Sequence, residues 1–231
     1  MTVSLTSLKQ SLHAGLTAVA QGADPALIYH SNAQLWASHP FNQLQGLEAI
    51  RRVWSQLRYA LPDMQRRDQI FVAGNSKADA RMPDDLEGRV LVASMGHYQG
   101  SFVNDLCGIP ATHGVVNLRV CEVHHLVEGK IAQSYVMLDL LDLMGQAGCW
   151  PIAPSLGAEG RWSGPATNDG VRLHTSDPAG GQTAFDTVIA MHNALGSFDG
   201  KSLDSMQHGA YWADNFLWYG PSGIGQTRGM T

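Results

Sequence analysis

Residues Val127–Gly148, VEGKIAQSYVMLDLLDLMGQAG, constrain this chain more than any other stretch. Glu128-Gly129 reads as a hairpin turn, followed by a strand running to Asp139 and a leucine-rich ending. Side chains alternate along a strand, so Ile131, Gln133, Tyr135, Met137 and Asp139 point one way. Ala132, Ser134, Val136 and Leu138 point the other. Both sets are largely apolar, which predicts cover on both sides of this strand. The first set also carries an amide, a phenol and a carboxylate, which are costly to bury without purpose. A few polar groups on an apolar wall are what a small-molecule pocket uses, so this face is the expected pocket wall.

Upstream, Leu5, Leu8, Leu12, Leu16 and Val19 recur at spacings of three and four and predict an amphipathic helix. Leu47, Ile50, Trp54, Leu57 and Leu61 predict a second, ending near Pro62-Asp63. Between them Gln34-Leu35-Trp36 reads as a short strand closed by a turn at His39-Pro40. From Gln69 the period changes. Ile70-Phe71-Val72, Val90–Tyr98, Val115–Leu126 and Ile131–Leu138 read as strands, with Gly74–Gly88 as an exposed polar loop between the first two. Helices followed by an antiparallel run of strands predict an α+β domain whose helices cover one face of a curved sheet.

Only 15% of the residues are charged, against roughly 25% in an ordinary globular domain. Much of the surface is therefore expected to be buried or interfacial. A formal net charge of -5 and the lack of any Lys/Arg run argue against a nucleic-acid partner. Three cysteines without paired spacing read as reduced thiols, and the first residues lack the pattern of a signal peptide. No run approaches the ~18 apolar residues of a membrane span. The expectation is a soluble cytoplasmic protein with no membrane partner.

Trp150–Thr183 contains four prolines and six glycines without sustained periodicity and reads as a linker, residues 150–183, after a domain spanning 1–149. Phe185, Val188, Ile189, His192 and Leu195 then restart a helix. In Tyr211–Thr231, Leu217-Trp218 answers Leu35-Trp36, Pro221 answers Pro40, and Gly229-Met230 answers Gly46-Leu47. Residues 184–231 are accordingly expected to be the opening third of a second copy. Such a fragment would pack on the first domain or on another chain, or be the ordered remnant of a longer protein.

A set of pieces along residues 10–149 resembles the SnoaL-like polyketide cyclase family within the nuclear transport factor 2-like superfamily. They are Leu35-Trp36 with His39-Pro40, Gly46-Leu47, Pro62-Asp63, Gly96-His97-Tyr98-Gln99-Gly100 and Gly108-Ile109-Pro110-Ala111-Thr112. The last is Gly129-Lys130-Ile131 through Tyr135 to Asp139, with Gln146-Ala147-Gly148 after it. Trp218, Gly220-Pro221, Gly223-Ile224-Gly225 and Arg228-Gly229 match in the second copy. The resemblance implies a cone-shaped, cystatin-like curved sheet around a deep apolar cavity, with helices covering its concave face. It also implies one acidic residue acting as acid/base in an intramolecular aldol ring closure on a polyketide ester, which falls on Asp139. Tyr135 stands where a Trp is usual, Gln133 where a Glu is usual, and Asn215 where the second copy has an Asp. These departures put substrate shape and pocket charge in question.

Asp139 is the leading candidate because one carboxyl in an apolar pocket can remove a proton from carbon and deliver another to oxygen. Its alternative role is as the cap of a helix starting at Leu140. His97 is the second catalytic candidate, although a satisfied structural imidazole is the plainer reading for every histidine here. His97 and Tyr98 alternate, so only one faces the pocket. Trp36, His39, Trp54, Tyr98, His113, Gln133, Tyr135 and Met137 are candidate substrate-binding residues; the aromatics are as readily core. Arg119 with Asn117 and Cys121, and Glu122 with His124, read as exposed or interface faces. No His-x-His, HExxH or CxxC occurs, so no metal or cofactor is expected. The predicted activity is cofactor-free acid–base chemistry on an apolar carbonyl compound. The alternatives are a non-catalytic ligand-binding or dimerisation module, or an isomerase or epoxide hydrolase. The last needs an Asp-Arg-Asp relay, to which Arg119 could contribute. An open sheet face predicts a homodimer.

Overall fold

The computed structural model describes residues 4–77, 87–174 and 177–229. Helix α1 (Leu5–Ala20) starts at Ser4, whose hydroxyl accepts from the Ser7 N–H at 3.1 Å. It buries Leu12, Leu16 and Val19, the stripe read from the sequence. Helix α2 (Leu47–Ala60) buries Ile50, Val53, Trp54 and Leu57. Each such side chain is worth about 1.5–3 kcal/mol of burial.

Six strands, β1 (Tyr29–Ala37), β2 (Gln43–Gln45), β3 (Gln65–Asn75), β4 (Val90–Ser101), β5 (Val115–Val127) and β6 (Lys130–Leu138), form one sheet in the order β2-β1-β6-β5-β4-β3. Every pairing is antiparallel except β1 with β6, which is parallel. The β5–β6 turn is built on Glu128 and Gly129, both at positive φ (48° and 79°), the geometry that a two-residue hairpin turn requires. Helices α1 and α2 lie on one side of this sheet, over a core that includes Leu35, Phe71, Val92, Tyr98, Leu118 and Leu138. The fold is the expected α+β architecture of a curved, unclosed sheet with helices.

Three details differ from the sequence reading. A register shift between His125 and Leu126 pairs Ile131 with Leu126 and Gln133 with His125, leaving Ala132 as the extra residue of a bulge. Ile131 therefore joins the core, completely buried, instead of sharing a face with Gln133. The face bearing Gln133, Tyr135, Met137 and Asp139 is the sheet's outer one, away from α1 and α2, and Tyr135 is 45% exposed. Arg119, Glu122 and His124, read as exposed or interface positions, are all buried. The proposed loop Gly74–Gly88 is shorter than expected because β3 runs to Asn75; its residues 78–86 lie outside the described residues.

The Pro/Gly-rich stretch is seated on the domain. Gly170 and Arg172 bracket Phe71 with hydrogen bonds of 2.9 and 3.0 Å, extending the outer edge of β3 in parallel. The Lys9 ammonium donates to the Arg172 carbonyl at 2.5 Å. The edge of the sheet, with its row of backbone donors and acceptors, is thereby shielded along this part. Further back in the same stretch, Trp162 is completely buried against the outer face.

Helix α3 (Leu140–Gln146) follows β6, and α4 (Pro178–Leu195) begins inside the stretch read as linker. Asp177 caps it by accepting from the Gly180 N–H at 2.9 Å, and Pro178 occupies the first turn. Gly180-Gly181 hide this start from any periodicity argument. Two short 3-10 turns lead to strands β7 (Leu217–Trp218) and β8 (Thr227–Arg228), which pair antiparallel. Residues 5–45 likewise run helix, 3-10 turn and antiparallel strand pair, with one 3-10 turn instead of two. Gly229 donates to the Phe216 carbonyl as Gly46 does to that of Ala33. Met230 lies outside the described residues. Among the described residues, no helix is long and apolar enough to cross a membrane.

Candidate functional site

Register sets the site. On the outer face, His97 of β4 pairs with Arg119 of β5, and the Asp139 N–H donates to the Arg119 carbonyl at 3.0 Å. Three neighbouring strands thus line up His97, Arg119 and Asp139. Asp139 is also the cap of α3, accepting from the Asp142 N–H at 3.2 Å, the structural role weighed for it in the sequence. The i, i+3 spacing of Asp139 and Asp142 brings both carboxyls to the first turn of that helix.

The Arg119 guanidinium is completely buried and reaches Asp139 at 3.2 Å, Asp142 at 3.3 Å and Glu159 at 3.2 Å. Its Nε donates to the Gly160 carbonyl at 2.8 Å and its Nη1 to the Ser222 hydroxyl at 3.1 Å. The Trp162 ring lies over it at 5.3 Å and forms an edge contact with Tyr219. Three acids face one base. Burial pushes the Asp142 carboxyl up to about 6; Arg119 opposes the rise and Asp139 adds to it. Burial also raises Glu159, but hydrogen bonds from Ser155, Gly223 and Ser222 outweigh it and leave that group below its ordinary value. His97 is lowered to about 4 by burial, then by Arg161 and Arg119. Its Nε2 accepts from the Trp162 N–H at 3.1 Å, so this imidazole is neutral with its proton on Nδ1.

A second charged cluster fills the concave side. Arg66 contacts Glu122 at 2.5 Å, Asp68 at 2.8 Å and the Ser94 hydroxyl at 2.7 Å. The Tyr98 and Ser94 hydroxyls donate to Glu122 at 2.7 and 2.9 Å, and His124 is 2.8 Å from Ser134. His13 reaches Asp68 at 3.1 Å. Burial raises Glu122, but Arg66 overcomes it and holds the carboxylate well below its usual range; burial and Glu122 together raise Tyr98 well above 10. Where the resemblance implies an apolar cavity, this cone holds an ion-pair network with aromatics around it.

The predicted site residues therefore separate into groups. Asp139 and His97 flank Arg119. Trp36, Tyr135, Met137 and Gln133 share the same outer face, where Trp36 stacks on Tyr135 (centroids 4.9 Å apart, planes 10° apart). With Cys121 and Val123, the first three line a shallow groove of about 380 Å³. Trp54 and Tyr98 are buried on the opposite, concave side, edge to face at 5.8 Å. His39 and His113 are exposed in turns and join neither group. Asp142, Glu159, Trp162 and Ser222 were missed. The Asp139/Asp142 spacing was a legible signal; for Glu159 and Ser222, forty and more residues away from Arg119 along the chain, there was none.

No protein-family model matches the chain, and no curated protein matches it in sequence. Its fold is similar to that of SnoaL-like polyketide cyclases. A candidate SnoaL-like polyketide cyclase from Jannaschia sp. CCS1 is 16% identical, covering 66% of this chain and 99% of its own, with a TM-score of 0.45. IdmH, a candidate polyketide cyclase from Streptomyces antibioticus, is 17% identical over 63% of this chain and 99% of its own, at 0.47. A protein with a ketosteroid isomerase-like fold from Catenulispora acidiphila is 14% identical over 59% and 92%, at 0.39. At these values the likeness is one of fold, and the chemistry of the site rests on its own geometry.

Proposed function

We propose that this protein is a cofactor-free acid–base enzyme of the polyketide-cyclase kind, acting on an apolar carbonyl compound at the Arg119 centre. The observation that carries the reading is the pair of adjacent buried carboxyls, Asp139 and Asp142, on one guanidinium, with burial pushing Asp142 up to about 6. Acid–base catalysis is most efficient when the catalytic pKa lies near the working pH. In an intramolecular aldol closure, a carboxylate takes a proton from the carbon next to one carbonyl. The freed C–H electron pair forms the new C–C bond to a second carbonyl carbon, whose π pair moves to oxygen. That oxygen receives a proton from the neutral carboxylic acid, so protons and electrons balance without a cofactor. Arg119 supplies fixed positive charge where the oxygen becomes negative. The groove at Trp36, Tyr135 and Met137, on the same sheet face, offers an apolar wall for the rest of the substrate.

A second reading, a non-catalytic ligand-binding or dimerisation module, is favoured by the ion-pair network on the concave side. The same Asp139–Arg119–Asp142 grouping is compatible in residue types with an epoxide-hydrolase relay. Turnover of a planar β-diketone ester by wild type, Asp139→Asn and Asp142→Asn separates these readings. The acid–base reading expects each variant to lose about 10²–10⁴-fold in kcat while still binding the ester. Full turnover in both variants removes the two carboxyls from the mechanism and overturns the acid–base reading; no turnover in wild type with binding intact gives the ground to the module.

A further inference from the structure

Three of the five residues that give polar contacts to the Arg119 guanidinium come from beyond residue 149. Glu159 and Gly160 belong to the Pro/Gly-rich stretch, and Ser222 lies in the turn between β7 and β8. The Ser222 N–H donates to Asp139 Oδ2 at 3.0 Å, while its Oγ accepts from Arg119 and donates to Glu159, each at 3.1 Å. The Gly223 N–H donates to the other Glu159 oxygen at 2.9 Å. The turn is itself held by Gly157 and Ala158, which exchange backbone hydrogen bonds of 2.8–2.9 Å with Ile224 and Gln226. Under this cover two buried donors, His97 Nδ1 and Trp162 Nε1, find no partner among the described residues. Orphaned buried donors are costly to keep away from water, and they fit a site made for a ligand with more oxygen than a serine offers.

We propose that the Gly220–Gly225 turn is an internal ligand of the Arg119 site, and that the site works when the turn swings out and a substrate takes its place. Resting on the acid–base reading of Arg119, Asp139 and Asp142, it names the substrate's polar end. Ser222 presents a donor to Asp139 and an oxygen to Arg119 from two adjacent carbons. The molecule that replaces it carries an acceptor oxygen and a donating hydroxyl on adjacent carbons, as an α-hydroxy ketone does. Its apolar body lies where Trp162 and Tyr219 now meet. The covered state raises the apparent Kd by the inverse of the open fraction, so loosening the cover tightens binding.

The test uses the full chain with Gly225→Val. Gly225 has φ +83°, and a Cβ there meets the Gly157 backbone at 2.5–2.8 Å, so the substitution breaks the interlock without touching Arg119 or the carboxyls. Hydrogen exchange should rise about tenfold or more in residues 157–162 and 219–226, with β4–β6 still protected. In fluorescence titrations 2-hydroxyacetophenone should bind the variant at least about tenfold more tightly than wild type, and acetophenone should gain much less. A looser cover with no gain in affinity overturns the proposal, as does equal gain for both ketones. Unchanged exchange in both Gly225→Val and Gly157→Val also overturns it, since the cover is then not detachable. Should Gly225→Val loosen the sheet too, Ser222→Ala decides: tighter 2-hydroxyacetophenone binding supports the proposal and unchanged binding sinks it. Tighter binding without turnover would uphold the internal ligand while removing the acid–base reading.

Discussion

Replacing Asp142 by Asn, and following stability against pH in both proteins, isolates the group on which the acid–base reading leans. Asp142 sits near pKa 6 in the folded protein, from an ordinary value of 3.8, chiefly because it is buried. Its side chain is 4% exposed, so little solvent screening discounts the shift. About two pH units at 1.36 kcal/mol each give a ceiling of about 3 kcal/mol. The folded pKa lies above the unfolded one, so between pH 4 and 6 the folded state binds the extra proton. Stability from this group is therefore fully present below about pH 4 and is lost as pH rises through 6. Asn has no such titration. It introduces a constant offset, because Arg119 and Gln146 both point donors at the Asp142 oxygens and an amide nitrogen suits neither. That offset cancels in the pH dependence. Urea unfolding of both proteins at several pH values from 4 to 7.5 should show the variant gaining on wild type by about 2–3 kcal/mol across the window. Parallel stability curves would mean that Asp142 is an ordinary carboxylate, and the argument for an acid poised near neutrality would go with them.

Glu122→Gln should destabilise the fold by about 3–5 kcal/mol in urea unfolding, because Arg66 loses its closest counter-charge inside the core; a cost below ~1 kcal/mol would show that the inner pair is solvated. Gly96→Ala should cost about 1–3 kcal/mol in the same assay, since its Cβ meets the Arg67 carbonyl oxygen at 2.2 Å beside the β3 bulge. Unchanged stability would mean that β3 can move away from β4.

The sequence carried the elements and their order because those depend on neighbours a few residues apart. Period marked α1 and α2, and Glu128-Gly129 marked the turn that pairs β5 with β6. The same local reasoning put Gln133, Tyr135, Met137 and Asp139 on one face correctly but could not say which side of the sheet the helices would choose. A single extra residue, Ala132, moved Ile131 to the other side, and no pattern in the sequence announces a bulge. Glu122 and His124 read as surface because charge normally stays in water. Their burial depends on Arg66, Ser94 and Ser134 meeting them across strands, a fact of register rather than composition. The Arg119 centre was legible only by half: His97, Arg119, Asp139 and Asp142 belong to one domain, whereas Glu159 and Ser222 arrive on segments whose glycines and prolines signal only loop.

The two buried arginines show why one cluster reads as structure and the other as chemistry. Arg66 is fully enclosed with Glu122 and Asp68, while His13, half-open to solvent, faces Asp68 from α1. Tyr98 and Ser94 complete the lone pairs of Glu122, so moving a proton anywhere in that network would break a charge-assisted hydrogen bond. Arg119 instead faces three carboxyls, two more than a single cation can balance, given that His97 beside it is held neutral. The excess negative charge favours uptake of a proton, and burial, with Asp139 beside it, raises Asp142 to about 6. A cluster that must trade a proton near neutral pH, lies beside an apolar groove, and is covered by a turn held through a few glycines is built for exchange with solvent and ligand. A cluster in which a guanidinium and two hydroxyls hold Glu122 ionised inside the core is built to stay shut. Swapping the perturbations tests this asymmetry: Glu122→Gln should lower stability at every pH from 5 to 8 with little effect on 2-hydroxyacetophenone binding, whereas Asp142→Asn should leave the fold intact at pH 7 and shift that binding. If Glu122→Gln alone altered binding, the concave side would be the working site and the outer centre a clamp.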